Sequence, residues 1–210
     1  VLPRVQPDYC TADILAMDFV DSRPIEIVET ADQDTRDRVA TRLFRLFLQE
    51  LFDWHHVQTD PNFANYRYQP DTGRIVLLDF GAARAFDPAF VARFRALLAA
   101  SLDGDTGGVM AGLVALGLLP EDAPEGQRRV IGEMVALGLP LMQEPVVDFG
   151  DTTLLAAMRD KGMQLGTEEG FRHVPPWDVL YLQRKLGGLV LLATRLRARV
   201  PMRDLARAVV

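Results

Sequence analysis

The sequence predicts a mostly helical α+β domain with a small β element at one edge, and three observations carry that prediction. Apolar residues recur at three- and four-residue steps from near Asp34 to Trp54, as they do on a helix with one buried face. Most of the chain after Pro88 reads as further helices punctuated by Gly and Pro. Between these lies a short strand-like stretch, and the informative polar residues gather around it.

In chain order, Val1–Pro24 reads as two short extended segments. Ile14-Leu15-Ala16-Met17-Asp18-Phe19-Val20 is a strand-like run that stops at the turn signal Asp21-Ser22. In the long helix, Val39, Leu43, Leu46, Phe47, Leu51 and Trp54 form the apolar face. Asp32, Asp34 and Asp37 complement the helix dipole at its start. A loop follows, His55–Asn65, and then Tyr66-Arg67-Tyr68 and Arg74–Leu78 flank the turn sequence Pro70-Asp71-Thr72-Gly73. A helix is expected near Pro88–Ala100, with Pro in its first turn. Breaks fall at Gly104–Gly108, Pro120–Glu125, Pro140–Asp151 and His173–Trp177. A last long helix, Pro176–Arg199, follows, whole or as two shorter ones.

Composition bounds the function. At 210 residues the chain is long enough for a large domain with a substantial core. A net charge of −6 argues against nucleic acid as the main partner, because phosphate binding needs a basic footprint. Cys10 is the single cysteine, so neither an internal disulfide nor a cysteine metal site is available. No stretch reaches the roughly 18 apolar residues of a membrane span. The chain opens on Val1 without a signal-like segment and reads as a piece of a longer polypeptide.

The chemistry lies between Val57 and Arg84. Asp60 and Asn65 stand in a D-x-x-x-x-N spacing, and Asp79-Phe80-Gly81 follows the apolar run Ile75-Val76-Leu77-Leu78. The separation of 79 − 60 = 19 residues holds one hairpin-like unit. Handling Mg-ATP requires anionic or carbonyl oxygens that hold metal against the phosphates. Asp79, projecting from a strand end, is the candidate metal ligand. Asn65 is the candidate to hold a second metal ion from the opposite loop, and Asp60 is the catalytic base or orienting group. His55, His56 and His173 read as loop or packing residues, because no helical i,i+4 pair is present. The run of Arg184, Lys185, Arg195, Arg197, Arg199, Arg203 and Arg207 reads as a solvated basic surface, with anionic lipid or a partner as the other reading.

With these residues in place, the chain resembles the ABC1/ADCK/UbiB family of atypical kinase-like proteins. Gln58-Thr59-Asp60-Pro61-Asn62-Phe63-Ala64-Asn65 is similar to that family's catalytic loop in its COQ8-like members. Leu77-Leu78-Asp79-Phe80-Gly81-Ala82-Ala83-Arg84 resembles its metal-binding segment, and Pro175-Pro176 with Tyr181–Gly188 its C-terminal helix. The resemblance implies a protein-kinase-like C-lobe, with ATP and Mg2+ as cofactors. It implies ATPase or small-molecule phosphotransfer in ubiquinone biosynthesis at a membrane surface. Only a few residues separate Gly81 from the helix near Pro88 and no A-P-E follows, so there is no long segment for docking a peptide substrate.

The resemblance also sets the expected division of the chain. Residues 1–25 would be the end of an N-lobe and the hinge strand, and 26–210 the helical C-lobe. Met17, Asp18, Phe19 and Val20 are the expected nucleotide-contacting residues. Both lysines, Lys161 and Lys185, come after Asp79, so the family's phosphate-pairing lysine would lie before residue 1. The N-lobe is thus expected to be largely missing, with half an active site and weak or no catalysis by the chain alone. Expected partners are nucleotide, a lipid or quinone precursor at a membrane surface, and either a homodimer copy or members of a biosynthetic complex. The setting is cytoplasmic, peripheral to a bacterial inner membrane, or the mitochondrial matrix side. Two other readings stand beside this one. One is a nucleotide-sensing scaffold. The other is an aminoglycoside- or choline-kinase-like enzyme, against which Thr59 and Phe80-Gly81 count.

Overall fold

The computed structural model describes residues 1–210. Its first half runs β1 (Arg23–Pro24), α1 (Gln33–Phe52), β2 (His56–Gln58), β3 (Tyr66–Gln69), β4 (Arg74–Leu77) and β5 (Ala83–Ala85). The second half runs α2 (Pro88–Asp103), α3 (Thr106–Ala115), α4 (Glu125–Gln143), β6 (Val147–Asp148), α5 (Thr153–Thr167), α6 (Trp177–Leu196), β7 (Arg199–Val200) and α7 (Met202–Arg207). The mostly helical α+β expectation holds.

The helices start where side chains satisfy their free amides. Asp32 accepts the Thr35 amide at 2.7 Å to open α1. Asp87 accepts those of Ala89 and Phe90 to open α2, with Pro88 in the first turn. Helix α2 ends at Gly104, whose φ of 70° is the left-handed conformation that a C-terminal cap needs.

The core forms where α1 meets α6. Phe44, Phe47 and Leu51 of α1 and Leu182, Leu192 and Leu196 of α6 are fully buried, within one cluster of 26 buried residues. Each such side chain contributes roughly 1.5–3 kcal/mol by leaving water. A second cluster, Leu119, Ala123, Val130, Ile131 and Leu165, holds α4 and α5 together.

Three small sheets complete the fold. β3 pairs antiparallel with β4 across the predicted turn, and β1 adds to the other side of β3. β2 pairs with β5, and β6 with β7.

Several expectations need correction. Ile14–Val20 forms no strand: Met17 makes a single bridge to Val5, and the apolar side chains around it stay exposed. Trp54 lies past the end of α1 and is 59% exposed, because His55 turns the chain with a φ of 52°. Pro140 does not break its helix. It sits in the last turn of α4, where its carbonyl still accepts the Glu144 amide at 3.1 Å. The last long helix is single and stops at Leu196. Strands β2, β5, β6 and β7 escaped the sequence reading because two or three residues show no measurable period.

Candidate functional site

One backbone ladder brings the two candidate loops together. In the β2–β5 pair Gln58 faces Ala83, and just beyond it the Thr59 amide and hydroxyl both donate to the Ala82 carbonyl, at 3.2 and 2.7 Å. Asp60 therefore leaves the ladder at the end where the Asp79–Gly81 turn arrives. The Asn62 side chain caps a short 3-10 turn, Phe63–Asn65, by accepting the Ala64 amide at 3.0 Å. That turn points Asn65 back at Asp60, and its Nδ2 donates to Asp60 Oδ2 at 2.8 Å. The Leu78 amide donates to the Asn65 carbonyl at 3.1 Å, which sets the strand before Asp79 directly beside Asn65. Asp79 Oδ1 accepts the Gly81 amide at 2.8 Å and holds the turn.

Asn65 and Asp79 line one small cavity, together with Leu46, Glu50, Gln58, Tyr66, Leu77, Phe80 and Lys185. Asn65 Oδ1 and Asp79 Oδ2 have no protein hydrogen-bond partner. Two oxygens from facing loops are the donor type that a hard divalent cation takes, so the residues fit Mg2+. Both oxygens of Asp60 are engaged: Oδ2 by Asn65 and Oδ1 by Arg184 at 3.0 Å. The structure thus joins all three predicted polar residues through direct bonds or a shared cavity.

Met17, Asp18, Phe19 and Val20 lie in the segment just before β1. None lines that cavity. Phe19 is 92% exposed, and the Asp18 carboxylate accepts from Gln6. His55 lies half-buried in the turn after α1, and His56 is exposed at the start of β2.

Sequence reasoning missed the polar group beneath the cavity. Lys185, counted with the basic surface, is 3% exposed, and Glu50 opposite is 5% exposed. Lys185 Nζ donates to Gln58 Oε1 at 3.0 Å and to the Tyr66 hydroxyl. Burial pushes the Glu50 carboxyl up to about 7, only partly opposed by the nearby Lys185 charge and the Gln58 amide. Burial likewise lowers Lys185, against the pull of Glu50 and Asp60, and raises Tyr66. A signal was present: Lys185 falls on the apolar stripe Leu182, Leu189, Leu192, Leu196, and Glu50 on the stripe Leu43, Phe47, Leu51. Much of the remaining basic run pairs with carboxylates, Arg195 with Glu29 and Arg199 with Asp148 at 3.5 Å.

A helical lobe that presents an Asp-Asn loop and an Asp-Phe-Gly turn to one cleft, with a small β element at that edge, has a kinase-like fold. The chain belongs to the ABC1 atypical kinase-like family, whose domain model matches residues 1–113. It is 33% identical over 206 residues to the rat "Atypical kinase COQ8B, mitochondrial", covering 97% of this chain and 38% of that protein. It is 32% identical to the Saccharomyces cerevisiae "Atypical kinase COQ8, mitochondrial", covering 95% and 40%. The chain therefore spans about two-fifths of the length of these relatives. Its fold is also that of a solved Mycobacterium tuberculosis structure, the complex of Rv3197 with erythromycin. There the TM-score is 0.74 at 18% identity, over 99% of this chain and 51% of the other.

Proposed function

We propose that this chain supplies the metal-binding side of an Mg-ATP site in an atypical kinase or ATPase that supports ubiquinone synthesis. The observation that carries the reading is the convergence of Asn65 and Asp79 from separate segments onto one cavity, with Asp60 bonded to Asn65 beside it. In it Asp79 and Asn65 hold Mg2+, and Asp60 orients the attacking hydroxyl or water. Met17–Val20 would lie against the base, where exposed Phe19 and Met17 offer an apolar face. The COQ8-type relatives support the quinone-lipid setting, and their names place them in mitochondria. A peripheral membrane position and a lipid precursor as acceptor belong to the same reading. No helix is long and apolar enough to cross a membrane.

Calorimetry with Mg-ATP and Mg-ADP tests it. Binding should require Mg2+ and disappear in Asp79→Asn. Binding that ignores both, or no binding at all, overturns the assignment of a working half-site to this chain.

One observation favours a second reading, a nucleotide-sensing scaffold. With both carboxylate oxygens of Asp60 bonded to protein, its role could be to order the loop rather than to move a proton. Asp60→Asn in the full-length protein separates the two. Retained function, alongside loss in Asp79→Asn, selects the scaffold.

A further inference from the structure

The geometry points to Lys185 as a positioning residue that fastens both metal-binding loops to helix α6; this rests on the metal roles proposed for Asn65 and Asp79. One ammonium reaches both loops. Through Gln58 it acts on Asp79: Lys185 donates to Gln58 Oε1, so the other end of that carboxamide, Nε2, is aimed at the Asp79 carbonyl, 3.1 Å away. Through Tyr66, the residue directly after Asn65, it acts on the other loop. The ammonium and the Asp79 carbonyl fix the orientation of the Gln58 amide from its two ends, and without the ammonium the oxygen end loses its donor. Turned over, its oxygen would face the Asp79 carbonyl oxygen.

The rest of this face of α6 is built the same way. One turn before Lys185, Tyr181 stacks under the Arg84 guanidinium at 4.3 Å, and Asp178 pairs with Arg84 at 3.2 Å, which anchors the strand after the Asp-Phe-Gly turn. Beside Lys185, Arg184 holds Asp60. Nearly one turn later, a Cβ on Gly188 would stand 2.0 Å from the Pro61 Cβ, so only glycine lets the loop lie on the helix.

Packing alone would not choose lysine here. Position 185 lies on a leucine stripe, and an apolar side chain would avoid taking an ammonium out of water. The cation is accounted for by what it orders. Outer residues that orient metal ligands act in this way: they touch no substrate, yet their loss weakens the metal.

The test compares Lys185→Met, Gln58→Met and their double with Lys185→Met/Glu50→Gln. The last removes both buried charges and so leaves no lone carboxylate if the single variant fails to fold. Amide hydrogen exchange is followed in Thr59–Tyr66 and Leu78–Ala83, and Mg-ADP affinity by calorimetry. In the charge-free pair, loop exchange should rise about tenfold, as for one lost hydrogen bond, while α1 and α6 keep their protection. Mg-ADP affinity should fall roughly 10–100-fold. Gln58→Met should add little to Lys185→Met, since both cut the same link. Unchanged loop exchange, or uniform loosening of the whole lobe, overturns the assignment. A wild-type chain that binds no Mg-ADP sinks the nucleotide reading but not this one, which the exchange measurement decides by itself.

Discussion

The α1–α6 pair and the α3–α5 bundle bury apolar side chains to different effect. Between α1 and α6, Phe44, Phe47, Leu51, Leu182 and Leu192 lie within a continuous 26-residue core. The bundle has only a five-residue cluster, beside an open cavity of about 430 Å³ lined by Val109, Leu113, Ile131, Met134, Val135 and Met142 among others. Side chains around such a space lose dispersion contacts that a filled interior would supply. The difference follows the site. Both metal-binding loops rest on α1 and α6, whereas the cavity is walled mainly by α3, α4 and α5 with Gln183 alone from α6, so dense packing is found where loop geometry depends on it.

The largest expected effect breaks the dense half. Leu182→Ala removes a fully buried side chain one turn before Lys185 and should cost about 2–5 kcal/mol. Urea unfolding measures it. Since Leu182 shares its helix face with the residues seating the loops, Mg-ADP binding should weaken as well. A loss below 1 kcal/mol would mean that this core is looser than its burial indicates.

A second measurement sharpens the comparison through pH. Glu50 is raised from an ordinary 4.5 to about 7 by burial, so the folded chain keeps a proton that the unfolded chain releases. The stabilisation is fully present below about 4.5 and is lost as pH rises through about 7, roughly 3 kcal/mol in all at 1.4 kcal/mol per unit. Lys185, lowered by burial, gives the opposite slope at alkaline pH. Stability of the wild type should therefore fall between pH 5 and 7 relative to Glu50→Gln, which cannot titrate there. Parallel pH profiles would show that Glu50 is solvated in solution.

The same contrast explains what the sequence disclosed. The α1 stripe, the hairpin turn at Pro70–Gly73 and the Asp60, Asn65, Asp79 spacing were legible because each is local, a period or a motif within a few residues. Lys185 and Glu50 were legible in principle, as charges on leucine-rich stripes. The β2–β5 ladder was not legible. Three-residue strands joined across 24 residues of intervening chain leave no local trace, and only the fold shows that Thr59 meets Ala82. Nor does helical periodicity reveal a cavity: the residues lining it show the same apolar pattern as those of a filled core.

The smallest expected effect is the one whose sign separates the two halves. Val→Leu adds one methylene at either site. At Val39, fully buried in α1, the extra carbon has no room and should destabilise by about 1–3 kcal/mol through forced rotamers and backbone shifts. At Val135, on the wall of the open cavity, the same carbon enters empty space beside Met134 and Met142 and should stabilise by about 0.5 kcal/mol. Thermal unfolding of the two variants gives the answer directly. Opposite signs mean that the bundle tolerates what the α1–α6 core refuses. If Val135→Leu also destabilises, the bundle is closed in solution, and the difference in packing between the halves is much smaller than the cavity implies.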